Sequence, residues 1–154
     1  MRRKDREVTD FNEQLAILKK CDVCRIALNG DDGYPYLVPM NFGMDVQDGQ
    51  LYLYFHCATE GKKLDLIRKD NRTFFEMDRG HDLIFSRENM SCSMAYESVM
   101  GKGTLEFVAE DEKLEALKTL MGQYHAEDFP IKISRIPTTT VLRLTVSEMT
   151  GKRR

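Results

Sequence analysis

The amino-acid sequence predicts a mainly β protein with flanking helices, whose antiparallel strands form a closed or partly closed barrel. Apolar segments that alternate with polar residues are joined by short turns, of which residues 30–33 and 47–49 are the clearest because they are rich in Gly and Asp. Such short connections favour an antiparallel meander. A barrel also removes unpaired strand edges, which is why we prefer it to an open sheet.

The chain begins with a predicted helix and continues with strands and two further helices. Asp10 and Glu13 resemble an N-terminal capping pair, and Phe11, Leu15 and Leu18 follow at helical spacing. Strands are predicted over residues 23–29, 34–44, 50–56, 72–78, 91–108 and 139–146, with helices over 59–69 and from about 110 onward. The strand over 72–78 is expected to end at a polar loop around residues 79–82.

Two features of the C-terminal half refine this outline. Gly101 and Gly103 are expected to mark a bulge or sharp corner in the long strand over 91–108. In the helix that follows, Leu117 and Met121 lie on one apolar face. We interpret that face as part of the core and not as a cofactor site.

Length and charge indicate a single domain over residues 1–154. The chain has 154 residues and contains no internal repeat or low-complexity linker. Its 23 Lys and Arg residues against 25 Asp and Glu residues give a formal net charge of -2, so no overall positive field favours nucleic acid. No apolar run is long enough to cross a membrane, and the basic residues 2–4 are not followed by a signal-peptide core. We therefore expect a cytoplasmic protein that binds neither nucleic acid nor membrane.

The cysteines do not indicate a redox pair or a metal centre. Cys21 and Cys24 have C-x-x-C spacing, but if both lie in a strand they are separated by about 10 Å, beyond the roughly 7 Å that a disulfide tolerates. No second C-x-x-C or H-x-x-x-H sequence supplies further zinc ligands. We expect reduced thiols and no metal.

Residues 51–64 form the segment most typical of a binding site, because a strand runs there into a helix that starts with Lys62 and Lys63. The first backbone N–H groups of a helix lack partners within the helix, and the helix dipole adds partial positive charge. Two cations at that position are unfavourable by roughly 0.3–1 kcal/mol each unless an anion lies between them. The segment therefore predicts a phosphate site, the alternative being an ordinary solvated helix start.

Several short motifs occur in an informative order. They are Val38-Pro39-Met40-Asn41-Phe42, Leu51-Tyr52-Leu53-Tyr54-Phe55-His56-Cys57-Ala58, Gly61-Lys62-Lys63-Leu64 with Asn71, Tyr96-Glu97-Ser98-Val99 followed by Gly101 and Gly103, and Thr150-Gly151-Lys152. This set resembles the flavin-binding split-barrel proteins related to pyridoxamine-phosphate oxidase, and most of all their nitroimidazole-resistance (Nim-like) branch. The resemblance covers roughly residues 8 to 153.

The resemblance implies an FMN-binding split barrel, that is, an antiparallel split β-barrel that holds FMN at the interface of a homodimer. Lys62 and Lys63 would hold the phosphate, and Tyr96 and Ser98 would come from the second subunit. Around the isoalloxazine, Pro39, Met40 and Asn41 would line the ring, Tyr54, Phe55 and His56 would flank it, and Cys57 is counted with the cofactor-binding residues.

The same resemblance implies an FMN-dependent reductase of an electron-poor small molecule such as a nitroimidazole or nitroaromatic, with a nicotinamide as one option for the electron donor. His56 is the catalytic candidate, because an unperturbed imidazole titrates at about pH 6.5 and can donate a proton. The alternative is a histidine that only ends its strand. Vitamin B6 oxidation is not expected, because Lys62-Lys63 replaces the arginine-lysine pair of the oxidase and its C-terminal arginine motif has no counterpart.

Two other classes stay open, since a fold does not determine a reaction. The chain could be a flavin-, deazaflavin- or haem-binding module without turnover of its own. It could also be an interaction barrel that binds no ligand.

Overall fold

A computed structural model of the chain describes residues 2–154. Its strands are β1 (Glu7–Val8), β2 (Cys24–Leu28), β3 (Tyr36–Met40), β4 (Gly43–Gln47), β5 (Gln50–Cys57), β6 (Arg72–Ser86), β7 (Ser91–Phe107) and β8 (Thr140–Arg153). Its α-helices are α1 (Phe11–Leu18), α2 (Lys62–Lys69) and α3 (Lys113–Gln123), and 3-10 turns cover Lys4–Arg6 and Ile133–Thr138. The predicted class, mainly β with flanking helices, is confirmed.

The strands form one antiparallel sheet in the order β3-β2-β6-β7-β8-β5-β4, with β1 beside β8. β3 and β4 are consecutive in the chain but lie at opposite ends of this order. Because only Asn41 and Phe42 join them, the sheet must curl until its two ends meet. The core fills the inside of the curl, where Phe42, Phe55 and Phe75 are all 0% exposed.

Local sequence signals are confirmed where they involve neighbouring residues. The Asp10 carboxylate accepts a hydrogen bond of 2.9 Å from the Glu13 N–H and caps α1. The ladder between β7 and β8 shifts register between Lys102 and Gly103. A Cβ at Gly103 would lie 2.0 Å from the Thr145 carbonyl oxygen, so glycine is required at this bulge.

The prediction of one strand over 34–44 is wrong, because the chain leaves the ladder at Asn41 and Phe42. The Asn41 side-chain amide and the Phe42 N–H both donate to the Tyr124 hydroxyl, at 3.2 and 3.0 Å. That hydroxyl donates in turn to the Asp22 carbonyl oxygen at 2.8 Å. These bonds satisfy the polar groups of the crossing between β3 and β4, and they come from a residue more than 80 positions away in sequence.

The prediction that a strand ends at Asp78 is also wrong. β6 continues to Ser86 after a register shift between Arg79 and Asp82, where Gly80 has φ +70°. Residues 82–86 and 91–95 pair only with each other among residues 2–154, and we call this two-stranded extension the β6–β7 arm.

The C-x-x-C cysteines do not lie in one strand. Cys21 follows α1 and Cys24 begins β2, and both thiols are free and buried. Burial raises the pKa of the Cys21 thiol to about 11 and that of Cys24 further. Both therefore stay protonated and unreactive near neutral pH.

None of the helices in the described part of the chain has the length and apolar character needed to cross a membrane. The cytoplasmic location stays a prediction.

Candidate functional site

The two faces of strand β5 have different surroundings. Leu53 and Phe55 are 0% exposed in the core of the barrel. On the other face, Tyr54 is 8% exposed and packs with Ala116 of α3, whereas His56 at the end of the strand is exposed. Only the end of this face is open, because α3 covers the rest. His56 is therefore the side chain of β5 that can meet a ligand.

The start of α2 presents unpartnered backbone donors. The helix begins at Lys62, three residues later than the predicted start at Thr59, and is preceded by Gly61 with φ +134°. The Gly61 carbonyl oxygen accepts from the Leu64 N–H at 2.9 Å, while no residue described here accepts from the backbone N–H groups of Lys62 and Lys63. Glycine at this position permits the unusual φ that turns the chain into the helix.

The two lysines of this helix start have different surroundings. The Lys62 ammonium lies 3.5 Å from an Asp31 carboxylate oxygen, 3.7 Å from Asp32 and 5.3 Å from the centre of the Tyr36 ring. Lys63 is half-buried and has no carboxylate within 4.0 Å among residues 2–154. Lys63 is thus the cation whose charge is available to an anion.

Cys57 lies next to this free charge. Burial raises the pKa of the Cys57 thiol, and the positive charge of Lys63 opposes part of that shift. The charge of Lys63 in the first turn of α2 therefore influences the end of β5.

A cavity of about 360 Å³ opens beside His56. Leu117 and Met121 of α3 form one wall, and the segment from Phe129 to Arg135 forms another. The walls are mostly apolar. The expectation that the face of α3 carrying Leu117 and Met121 is core holds only in part. Leu117 packs against the buried cluster around Tyr54, but both side chains are half-buried and line this cavity.

The residues from the β3 end differ in what they expose. Pro39 lies exposed on the edge strand β3, opposite Arg25. Met40 is 8% exposed and packs in the core, so only its backbone can touch a ligand. Asn41 is exposed and held by its bond to Tyr124.

One subunit does not bring Tyr96 and Ser98 to the start of α2. Lys62 lies over Tyr36 in β3, and the cross-strand neighbours of Tyr36 lead through β2 and β6 to Gly103 in β7. Ser98 is five residues further along β7, which corresponds to about 16 Å. The contribution of these two residues from a second subunit stays a prediction.

Sequence reasoning missed the cavity wall and the role of Tyr124. The wall includes Phe129, Pro130 and Ile131, an apolar run in a segment without regular structure. This apolar run was the sequence signal for the cavity wall, because loops that face only solvent are usually polar.

The sequence profile described as "Pyridoxamine 5'-phosphate oxidase" matches residues 10–153. The chain belongs to this family. The family's split-barrel fold and the resemblance drawn from the motifs are thereby confirmed. No functionally curated protein matches the sequence.

Solved structures support this assignment. A candidate 5-nitroimidazole antibiotic resistance protein of Bacteroides thetaiotaomicron is 31% identical, with a TM-score of 0.84 over 96% of this chain and 86% of that one. The FAD and heme binding protein of Mycobacterium smegmatis is 21% identical, with a TM-score of 0.80 over 96% and 73%. The flavocytochrome Anf3 of Azotobacter vinelandii is 20% identical, with a TM-score of 0.82 over 100% and 72%. The likeness of the last two structures to this chain shows a shared fold.

Proposed function

We propose that this protein is an FMN-dependent oxidoreductase that reduces electron-poor organic molecules such as nitroaromatics. The observation that carries the proposal is the continuity of β5 with α2. Only four residues separate Cys57 from Lys62. Even a fully extended chain would therefore keep the exposed His56 within about 24 Å of the basic helix start. One elongated ligand with a flat ring and a terminal phosphate fits this arrangement.

The donor set at the start of α2 suits a phosphate monoester. It combines the unpaired charge of Lys63, the second charge of Lys62 and backbone N–H groups at the positive end of a helix. Two similar structures are named for flavin, which supports a flavin as the cofactor. The single phosphate of FMN matches this one donor set.

A bound flavin would supply the hydride or electron transfer, with a nicotinamide as the donor class. The chain's own residues would do the rest. His56 would donate a proton to the reduced substrate or stabilise its developing negative charge. The apolar cavity beside His56 would hold the organic substrate and exclude water.

The proposal includes a homodimer that the β6–β7 arm helps to form. Leu83, Phe85 and Met94 on this arm are 65%, 60% and 42% exposed. A two-stranded ribbon alone in water is at best marginally stable. Alternation along β7 places Met94 on the same face as Tyr96 and Ser98. An arm packed on a second copy would therefore carry Tyr96 and Ser98 towards that copy.

A visible absorption spectrum of the purified protein, before and after addition of FMN, tests the cofactor. The test of activity is anaerobic oxidation of NADH or NADPH with a nitroaromatic acceptor. A flavin spectrum with turnover supports the proposal. Flavin without turnover would make the chain a binding module, a Soret band would make it a haem protein, and a colourless protein that takes up neither would make it an interaction barrel.

A further inference from the structure

We infer that the cavity beside His56 binds an organic acid, a ligand with an apolar or aromatic body and a carboxylate. The inference rests on the proposed function only in taking this ligand as the substrate. Binding itself can be measured without turnover.

The volume and the walls of the cavity determine what kind of apolar body the ligand can have. Its volume of about 360 Å³ lies within the range of small-molecule pockets, about 300–1,000 Å³. Leu117 and Met121 offer half-buried apolar surface, and Phe129 at the mouth is 67% exposed. A ligand that covers these side chains removes apolar surface from water on both partners.

The charges at the mouth define the polar group. Lys132 and Arg135 are exposed residues of the cavity lining, and no acidic residue lines it with them. Neither has a carboxylate within 4.0 Å in the part of the chain described. By contrast, Arg143 lies 3.0 Å from Glu106. Two unpaired cations beside apolar walls are complementary to an apolar anion.

Arg135 differs from Lys132 in the geometry of its charged group. The hydroxyls of Thr138 and Thr139 donate to its backbone carbonyl oxygen, both at 3.0 Å, and fix the main chain there. The planar guanidinium can bind a carboxylate through two parallel N–H donors, a geometry that lysine lacks. We therefore expect Arg135 to contribute more than Lys132.

The experiment compares two probes of nearly equal shape, 4-nitrobenzoate and 4-nitrobenzyl alcohol, by isothermal titration calorimetry on the purified protein with and without added FMN. We expect the acid to bind about 10-fold more tightly than the alcohol. Arg135→Gln should weaken the acid about 10-fold and Lys132→Gln somewhat less, with the alcohol unchanged. Phe129→Ser should weaken both probes. Lys118→Gln is the matched control, because Lys118 pairs with Glu115 at 2.7 Å and does not line the cavity.

Equal affinities for acid and alcohol would overturn the inference, as would binding of neither probe or equal effects of Arg135→Gln and Lys118→Gln. Competition between the acid and FMN in protein without flavin would also overturn it, since the cavity would then hold the flavin ring. Acid binding with the expected variant pattern but no flavin uptake would support the inference while refuting the proposed function. Flavin-dependent reduction of the alcohol, together with equal affinities for acid and alcohol, would support the proposed function while refuting the inference.

Discussion

The Lys62 ammonium lies 3.5 Å from the Asp31 carboxylate, so the first cation of α2 already has an anionic neighbour. Lys63, the next residue, has none within 4.0 Å among residues 2–154. Two lysines that the sequence presents as equivalent are therefore unequal. A phosphate that approaches this helix start competes with carboxylates for Lys62 and meets Lys63 unopposed.

We expect Lys63→Ala to weaken FMN binding by about 10- to 100-fold, because a charge-assisted contact to phosphate is lost. Lys62→Ala should have a smaller effect, and Asp31→Asn should strengthen binding by releasing Lys62. Quenching of flavin fluorescence during titration measures each affinity. Riboflavin, which lacks the phosphate, is the control and should respond to none of the three changes. Equal losses for both lysines would contradict this ranking.

His56→Gln should retain FMN and the fold while slowing the flavin-dependent reduction of a nitroaromatic by about 100- to 10,000-fold, the usual contribution of a positioned proton donor. The measurement is kcat at saturating acceptor, with the flavin spectrum as a check on occupancy. Normal turnover would make His56 structural. Loss of flavin would make its role one of binding.

Gly43→Ala should lower the free energy of unfolding by about 1–3 kcal/mol. A Cβ at Gly43 would lie 2.5 Å from the Leu120 Cα, so α3 would have to move away from the sheet. Urea denaturation measures the change. Gly122→Ala, in the same helix, is the matched control, because its Cβ would meet nothing closer than 3.8 Å and alanine favours the helix. If Gly43→Ala left the free energy of unfolding unchanged, α3 could move away from the sheet at no cost.

Glu97 should stabilise the fold in a pH-dependent way. Burial opposes its charge, but hydrogen bonds from Arg153 at 2.7 Å and Arg79 at 2.9 Å outweigh burial and hold the pKa of the Glu97 carboxyl below its ordinary value. A lowered folded-state pKa gives stability that is present above the unfolded value and lost as pH falls through the folded one.

We therefore expect Glu97→Gln to cost about 1 kcal/mol at pH 7 and progressively less below about pH 4.5. Urea denaturation at several pH values from 7 down to about 3 provides the comparison. A difference that stays constant with pH would indicate lost packing and not lost charge.

Phe85→Ser on the β6–β7 arm should shift the proposed homodimer towards monomer, because it removes exposed apolar surface that we assign to the interface. Sedimentation at several protein concentrations would detect the shift. Flavin affinity should fall with it if Tyr96 and Ser98 act across the interface. Ile133→Ser is the control, because this residue is 63% exposed but lies outside the arm. A wild-type protein that stays monomeric with full flavin occupancy would refute the dimer.

Sequence predicts those parts of this fold whose causes are local. The capping of α1 by Asp10 needs only neighbouring residues, and it is confirmed. The ordered set of motifs from Val38 to Lys152 indicated the family, which the profile match over residues 10–153 confirms.

The remaining features depend on residues far apart in the chain. The Tyr124 hydroxyl that ends β3 is 82 positions from Phe42, and Asp31 reaches Lys62 only because the turn between β2 and β3 packs near α2. The mouth of the cavity likewise joins His56 to Arg135. Hydrophobic periodicity carries no information about such pairs, so a candidate site could be proposed from sequence but its charges and walls could not be assigned.

The β6–β7 arm has a consequence for the newly made chain. Among residues 2–154 no strand pairs with the outer edges of its ribbon, so both edges offer backbone N–H and C=O groups next to the exposed Leu83 and Phe85. Such edges pair readily with any other strand, which is the first step of aggregation. A newly made chain is therefore prone to association until something covers the arm. If that cover is the proposed second copy, slow encounter at low expression should raise the chain's demand for chaperones.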